Sequence, residues 1–246
     1  MRLFLLFLMV LFAFGPTKDA VAKDGWERTS NKGGLAVYRK RIKGSPLFAF
    51  RGEYTAPIHI GKLITLFGSL SKLKVWIENY NASGRLERPN EFERVYWLRF
   101  NMPWPIASRD FVLHVKASPE PKTRTVTALI KSVKHKKRPK VKGCVRAIIR
   151  YTKWKFFALR QKKGEGPKTK ITVEVHMNPK GWIPAWIINS TQANWPRKTL
   201  TRLVKASHAF KPYPLLVNWH SPKPLFYSKT KLKFFAKLRK RMREGF

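Results

Sequence analysis

FNMPWPIASRDFVLHV, residues 100–115, joins a rigid corner to a strand. Pro103-Trp104-Pro105 braces the corner, because each proline fixes its own φ and drives the residue before it towards extended geometry. Arg109-Asp110-Phe111 follows at once. From there Phe111, Leu113 and Val115 fall on one face, with Asp110, His114 and Lys116 on the other. That alternation predicts a half-buried strand with one apolar wall.

Outward from this strand the chain reads as a sheet with helices at its two ends. Residues 35–43, after the Gly33-Gly34 turn, and residues 48–55 read as opening strands. Pro57 then starts a helix in which Ile60, Leu63, Ile64 and Phe67 recur at helical spacing. Residues 70–80, carrying Trp76, read as a second short helix. Strands are expected at 85–87, 93–100, from 109, 123–133, 144–158 and 170–177, joined by turns or basic loops of hairpin length. Residues 183–207 read as one long helix, with Pro196 able to kink it. The order implies an α+β fold, with helices against one side of an antiparallel sheet.

The corner and strand of residues 100–115 resemble the strand entry of the StAR-related lipid-transfer (START) family. A second stretch, NPKGWIPAWIIN at residues 178–189, is similar to that family's entry into its C-terminal helix. The resemblance covers residues 26–209. It implies a helix-grip fold, a curved antiparallel sheet gripping a long C-terminal helix, and a cavity for a hydrophobic ligand. In the family the arginine at position 109 is part of the motif. Some relatives carry a charged residue further along the same strand; here the inward positions are Leu113 and Val115.

Charge sets a second theme. There are 52 Lys+Arg against 13 Asp+Glu, a formal +39. Such a chain repels itself and seeks polyanions, either nucleic acid or an anionic membrane surface. With 43% apolar residues and nine tryptophans it still has the means to build a core.

The first residues read as an address. Arg2 precedes an apolar run over residues 3–15, and Ala20-Val21-Ala22 offers a small-x-small cleavage pattern. The run is too short to span a bilayer, which takes about 20 residues. Export is therefore expected, periplasmic or secreted, with cleavage after Ala22. The three expected segments are a signal peptide at 1–22, a START-like domain at 23–210 and a basic tail at 211–246. Cys144 is the sole cysteine and cannot form an internal disulfide.

Catalytic signatures are scarce. After residue 22 there are two aspartates, Asp24 and Asp110, and no Gly-x-Ser-x-Gly, Gly-rich phosphate loop or His-Glu-x-x-His. His114 and His176 sit on polar strand faces and lack the third ligand a zinc site needs. No enzyme, cofactor or metal is expected. Arg109 and Asp110 read either as a pair that fixes the corner, or with Arg109 at the polar end of a pocket.

A pocket, if present, should be walled by alternation. Arg109, Phe111, Leu113 and Val115 come from one strand, and Val145, Ala147, Ile149 and Tyr151 from a second. Ile171, Val173, Val175 and Met177 come from a third, and Ile183, Trp186, Ile187 and Ser190 from the helix. Two basic segments remain. KHKKRPKVK at 134–142 reads as a solvated hairpin loop. In the tail, Leu232, Phe235, Leu238 and Met242 share one helical face among lysines and arginines, with Lys231, Lys240 and Arg241 beside them. That is the pattern of a helix lying on a membrane surface. The expected function is a monomeric lipid carrier docking on anionic membranes. The alternative is a polyanion-binding protein on the same fold, with intracellular nucleic acid disfavoured by export.

Overall fold

The computed structural model describes residues 24–221, with Thr230, Lys233 and Ala236 beyond them. The expected signal peptide and the tail positions Lys231, Leu232, Phe235, Leu238, Lys240 and Arg241 lie outside the described residues.

The corner strand, β6 (Ser108–Glu120), has partners on both sides. The other strands are β1 (Glu27–Lys32), β2 (Leu35–Lys40), β3 (Ala49–Ala56), β4 (Tyr80–Asn90), β5 (Glu93–Phe100), β7 (Thr125–Ser132), β8 (Cys144–Arg146), β9 (Ile148–Ala158) and β10 (Thr169–Asn178). They form one curved sheet in the order β1-β2-β3-β10-β9-β7-β6-β5-β4. Every neighbouring pair along that path is antiparallel; β8 sits off it, parallel to the start of β6.

α1 (Ile60–Phe67) follows β3, as the spacing predicts, and is N-capped by the His59 ring accepting the Gly61 amide. The expected helix at 70–80 is shorter: a 3-10 turn at Leu70–Lys72 and one turn of α2 (Leu73–Trp76). Asn79, at φ 56°, then swings the chain into β4. The sequence also hid β1, whose residues ERTSNK contain no apolar side chain to show alternation.

The C-terminal arm is broken where proline demands it. α3 (Ala185–Ala193) and α4 (Trp195–Ser207) meet at Asn194, which caps both, and Pro196 opens α4 because its missing N–H is not needed there. α4 lies on β3 across Gly52. A Cβ at that position would stand 2.7 Å from Pro196 Cβ and 2.9 Å from Leu200, so the close approach requires glycine. Leu200 and Leu203 are fully buried there, in the same core as Leu35, Val37, Ile171 and Val173. Residues past 210 belong to this body too: Leu216, Trp219 and His220 are buried, so packing continues to Ser221 rather than stopping at the expected boundary of 210. No helix among the described residues is long and apolar enough to cross a membrane.

Candidate ligand cavity

Between the concave face of the sheet and the helices lies a cavity of about 980 Å³. β6 supplies Phe111, Leu113, Val115 and Ala117; β7 supplies Val126, Ala128 and Ile130; β5 supplies Tyr96, Leu98 and Phe100. α1 and α2 add Ile64, Phe67, Leu73 and Trp76, and the segment after α4 adds Tyr213, Leu215 and Leu216. One wall is aromatic. Phe67 lies 5.1 Å from Trp154, and Trp76 meets Trp154 edge-on at 6.2 Å. Across the cavity Phe100 and Phe111 meet edge-on at 5.5 Å. Burial pushes the Tyr96 phenol up to about 12, so it stays neutral.

Seven of the expected wall residues line this space: Arg109, Phe111, Leu113, Val115, Ile149, Val175 and Met177. Nine do not. On β9 the phase slips: His176 pairs with Tyr151 and Met177 with Ile149, which leaves Arg150 as a bulge. Beyond it the inward residues are Thr152 and Trp154, while Tyr151 stands with His176, ring centroids 6.1 Å apart. Val145 sits in β8 beside Gly181, and Ala147 is fully buried where β8 passes into β9, its amide donating to the Asp110 carbonyl at 3.0 Å. Ile171 and Val173 are fully buried as ordinary core, Val173 beside Gly52 where α4 crosses.

Ile183 precedes α3, which starts at Ala185 rather than at 183, and Trp186, Ile187 and Ser190 are turned away from the cavity for a polar reason. Asn189 accepts from the Phe48 amide at 2.9 Å and donates to the Pro46 carbonyl at 3.0 Å, which fixes the rotation of α3. Thr191, Gln192 and Trp195 therefore reach the cavity, and Trp186 is 72% exposed. The β7 residues were legible as Val126-x-Ala128-x-Ile130; Trp154 was hidden by the bulge.

Arg109 and Asp110 do not pair with each other. Asp110, fully buried, takes two hydrogen bonds from Arg146, from Nε and Nη2, each 2.9 Å. Arg109 donates to the carbonyls of Ala107, Pro179 (3.2 Å) and Lys180 (3.0 Å). It thus ties the Pro-Trp-Pro corner to the loop leading into α3, and burial lowers its pKa. The histidines are apart: His114 meets Glu93 at 2.9 Å, while His176 lies 3.4 Å from Ser45. No group of three His, Cys, Asp or Glu that could hold a metal gathers among the described residues.

The basic stretch 134–142 does not protrude as a free loop. Arg138 stacks 3.8 Å above Trp97, His135 meets Glu87 at 2.9 Å, and Arg146 donates to the Pro139 carbonyl at 2.8 Å. Lys134, Lys136, Lys137, Lys140 and Lys142 remain exposed.

The START domain family model matches residues 17–212. An uncharacterized protein of Pseudomonas aeruginosa is 30% identical over 199 residues, covering 79% of this chain and 92% of that one. Human STARD10 superposes with a TM-score of 0.68 at 21% identity, covering 82% and 84% of the two chains. A STAR-related lipid transfer protein from Xanthomonas axonopodis superposes with a TM-score of 0.63 at 27% identity, covering 75% and 99%. Sheet, helical arm, cavity and sequence match agree, and they support a lipid-binding role: the chain belongs to the START domain family.

Proposed function

We propose that this protein is an exported lipid carrier, which encloses a hydrophobic ligand such as a sterol or phospholipid and docks on anionic membranes to exchange it. The cavity carries the proposal: about 980 Å³ of space with aliphatic and aromatic walls is large enough for a lipid's apolar body. Each Å² of apolar surface removed from water stabilises the bound state by about 25 cal/mol, without a polar code. Docking is favoured by tryptophans at the corner that Arg109 ties together. Trp104, Trp182 and Trp186 are 93%, 71% and 72% exposed, a costly placement in water and a suitable one at a bilayer interface.

Organic extraction of the purified full-length protein, followed by mass spectrometry, tests the carrier reading. One lipid per chain is expected. An empty cavity together with tight binding to an anionic polymer would favour the polyanion reading that +39 also permits. Export is tested by sequencing the N-terminus of the protein from culture fractions, where Lys23 is the expected first residue.

A further inference from the structure

We infer that the β4–β5 end of the cavity is a site for the anionic headgroup of a lipid, a phosphate or carboxylate, held by Arg85, Arg88 and Arg94. The inference rests on the carrier reading and narrows its ligand. Register places the cations. Arg85 pairs with Tyr96 across β4 and β5, and Arg94 pairs with Val115 across β5 and β6, so both share the face of cavity-lining residues. Arg88 lines the same end.

None of the three has a carboxylate within 4.0 Å among the described residues. Arg94 donates to one carbonyl, that of Gly68 across the opening. Neighbouring acids are engaged elsewhere: Glu87 with His135, Glu93 with His114, and Glu78 with Lys198. Glu91 lines this end as well, exposed and outside any of these ion pairs. Tyr96 stays neutral and adds no balancing charge. Burial disfavours the Arg94 cation most, an effect the adjacent Tyr96 opposes and the weaker repulsion from Arg88 and Arg85 reinforces. Arg94 is half-buried and Arg85 and Arg88 are exposed, so the cost falls mainly on Arg94; an anion at the opening removes it, and guanidinium forks suit phosphate and carboxylate geometry.

The headgroup then sits at the opening, with chains running past Leu98, Leu113 and Phe111. A choline cation there would meet three arginines, and a neutral sterol would leave them uncompensated.

The test is calorimetric titration of the full chain in about 0.5 M salt, which screens the exterior charge. The probes are dioctanoyl phosphatidylglycerol, dioctanoyl phosphatidylcholine and inorganic phosphate. One phosphatidylglycerol per chain, bound at least about tenfold more tightly than phosphatidylcholine, is expected, with phosphate far weaker than either. Arg94→Gln should lower phosphatidylglycerol affinity about tenfold and leave phosphatidylcholine unchanged. Arg88→Gln, at an exposed position that cannot disturb the core, should act in the same direction. Equal affinity for the two lipids, full affinity in both variants, or phosphate binding as tightly as phosphatidylglycerol would each overturn the headgroup site while leaving a carrier. Binding of neither lipid would overturn the carrier reading and this inference with it.

Discussion

Arg146 reaches across from β8 to Asp110 on β6, 36 residues earlier in the chain, and closes on it with two N–H···O bonds of 2.9 Å each. Asp110 has no solvent exposure, so its charge is tolerated because both oxygens face a guanidinium fork. The pair also explains β8, whose parallel register sets Arg146 directly beside Asp110. Removing one partner strands the other as a buried charge. Arg146→Met should therefore cost about 3–5 kcal/mol, read as a lower urea midpoint. Arg146→Lys should recover part of the loss, since it keeps the charge and loses the fork. A midpoint unchanged in Arg146→Met would show that the pair is structurally idle.

A histidine gives the fold an acid limit. His220 Nε2 accepts the Ile60 amide at 2.9 Å at the start of α1, and Nδ1 donates to the Leu159 carbonyl at 3.0 Å. The Ile60 bond needs the neutral ring, because a protonated Nε2 cannot accept, whereas the donation to Leu159 survives protonation. Burial, then His59 at 4.5 Å between ring centroids, pushes its pKa from 6.5 down to about 4. Arg124 adds to that shift. The unfolded chain takes up this proton near 6.5 and the folded chain near 4, so between those values the unfolded state binds more protons. Stability from this group is complete above about 6.5 and falls as the pH drops towards 4. His59, lowered by burial, acts in the same sense. Thermal melts from pH 7 to 4 should show a falling Tm, less steep in His220→Gln; identical slopes would remove His220 from the account.

Leu113 and Val173 look equivalent in the sequence, each an apolar residue in an alternating strand, but they answer different questions. Leu113 lines the cavity, whereas Val173 lies beneath α4, its Cγ1 3.5 Å from where a Gly52 Cβ would be. Leu113→Trp should fill ligand space, leaving the melting temperature within a few degrees of the parent and abolishing lipid co-purification. Val173→Asp should fail to fold, because a buried unpaired carboxylate costs several kcal/mol. A Leu113→Trp protein that still carries lipid would place the ligand elsewhere.

That contrast marks where the sequence was legible. β6, β7 and β10 alternate without interruption, so their inward residues can be counted off. β9 contains a bulge at Arg150 that carries no composition signal, and one extra residue moves every later side chain to the other face. α3 was misread because its orientation is set by Asn189, a polar residue bonded to a loop some 140 positions away, rather than by its apolar positions. The arginines of β4 and β5 were hidden by the overall excess of charge. Only strand register puts Arg94 on the cavity side of β5 and Trp97, on which the loop residue Arg138 stacks, on the other.

Docking has two candidate elements, and they separate in one experiment. The first is the corner with Trp104, Trp182 and Trp186, whose loops Arg109 holds together. The second is the tail beyond Ser221, basic and amphipathic in sequence. A truncation that tests the tail must end at Ser221, because cutting at Lys211 would remove the buried Trp219 and His220. Each basic side chain near an anionic leaflet contributes about 1 kcal/mol, an attraction screened over roughly 8 Å at physiological salt. Interfacial tryptophans bind through amphipathic rings and are less sensitive to salt. Sedimentation with phosphatidylglycerol vesicles should therefore show two losses. The chain ending at Ser221 should lose the salt-sensitive part of binding, and the Trp104→Ala/Trp182→Ala/Trp186→Ala protein should lose the part that persists in high salt. Unchanged binding by both proteins would rule out docking through either element, and equal binding to neutral vesicles would rule out the charge-driven part assigned to the tail.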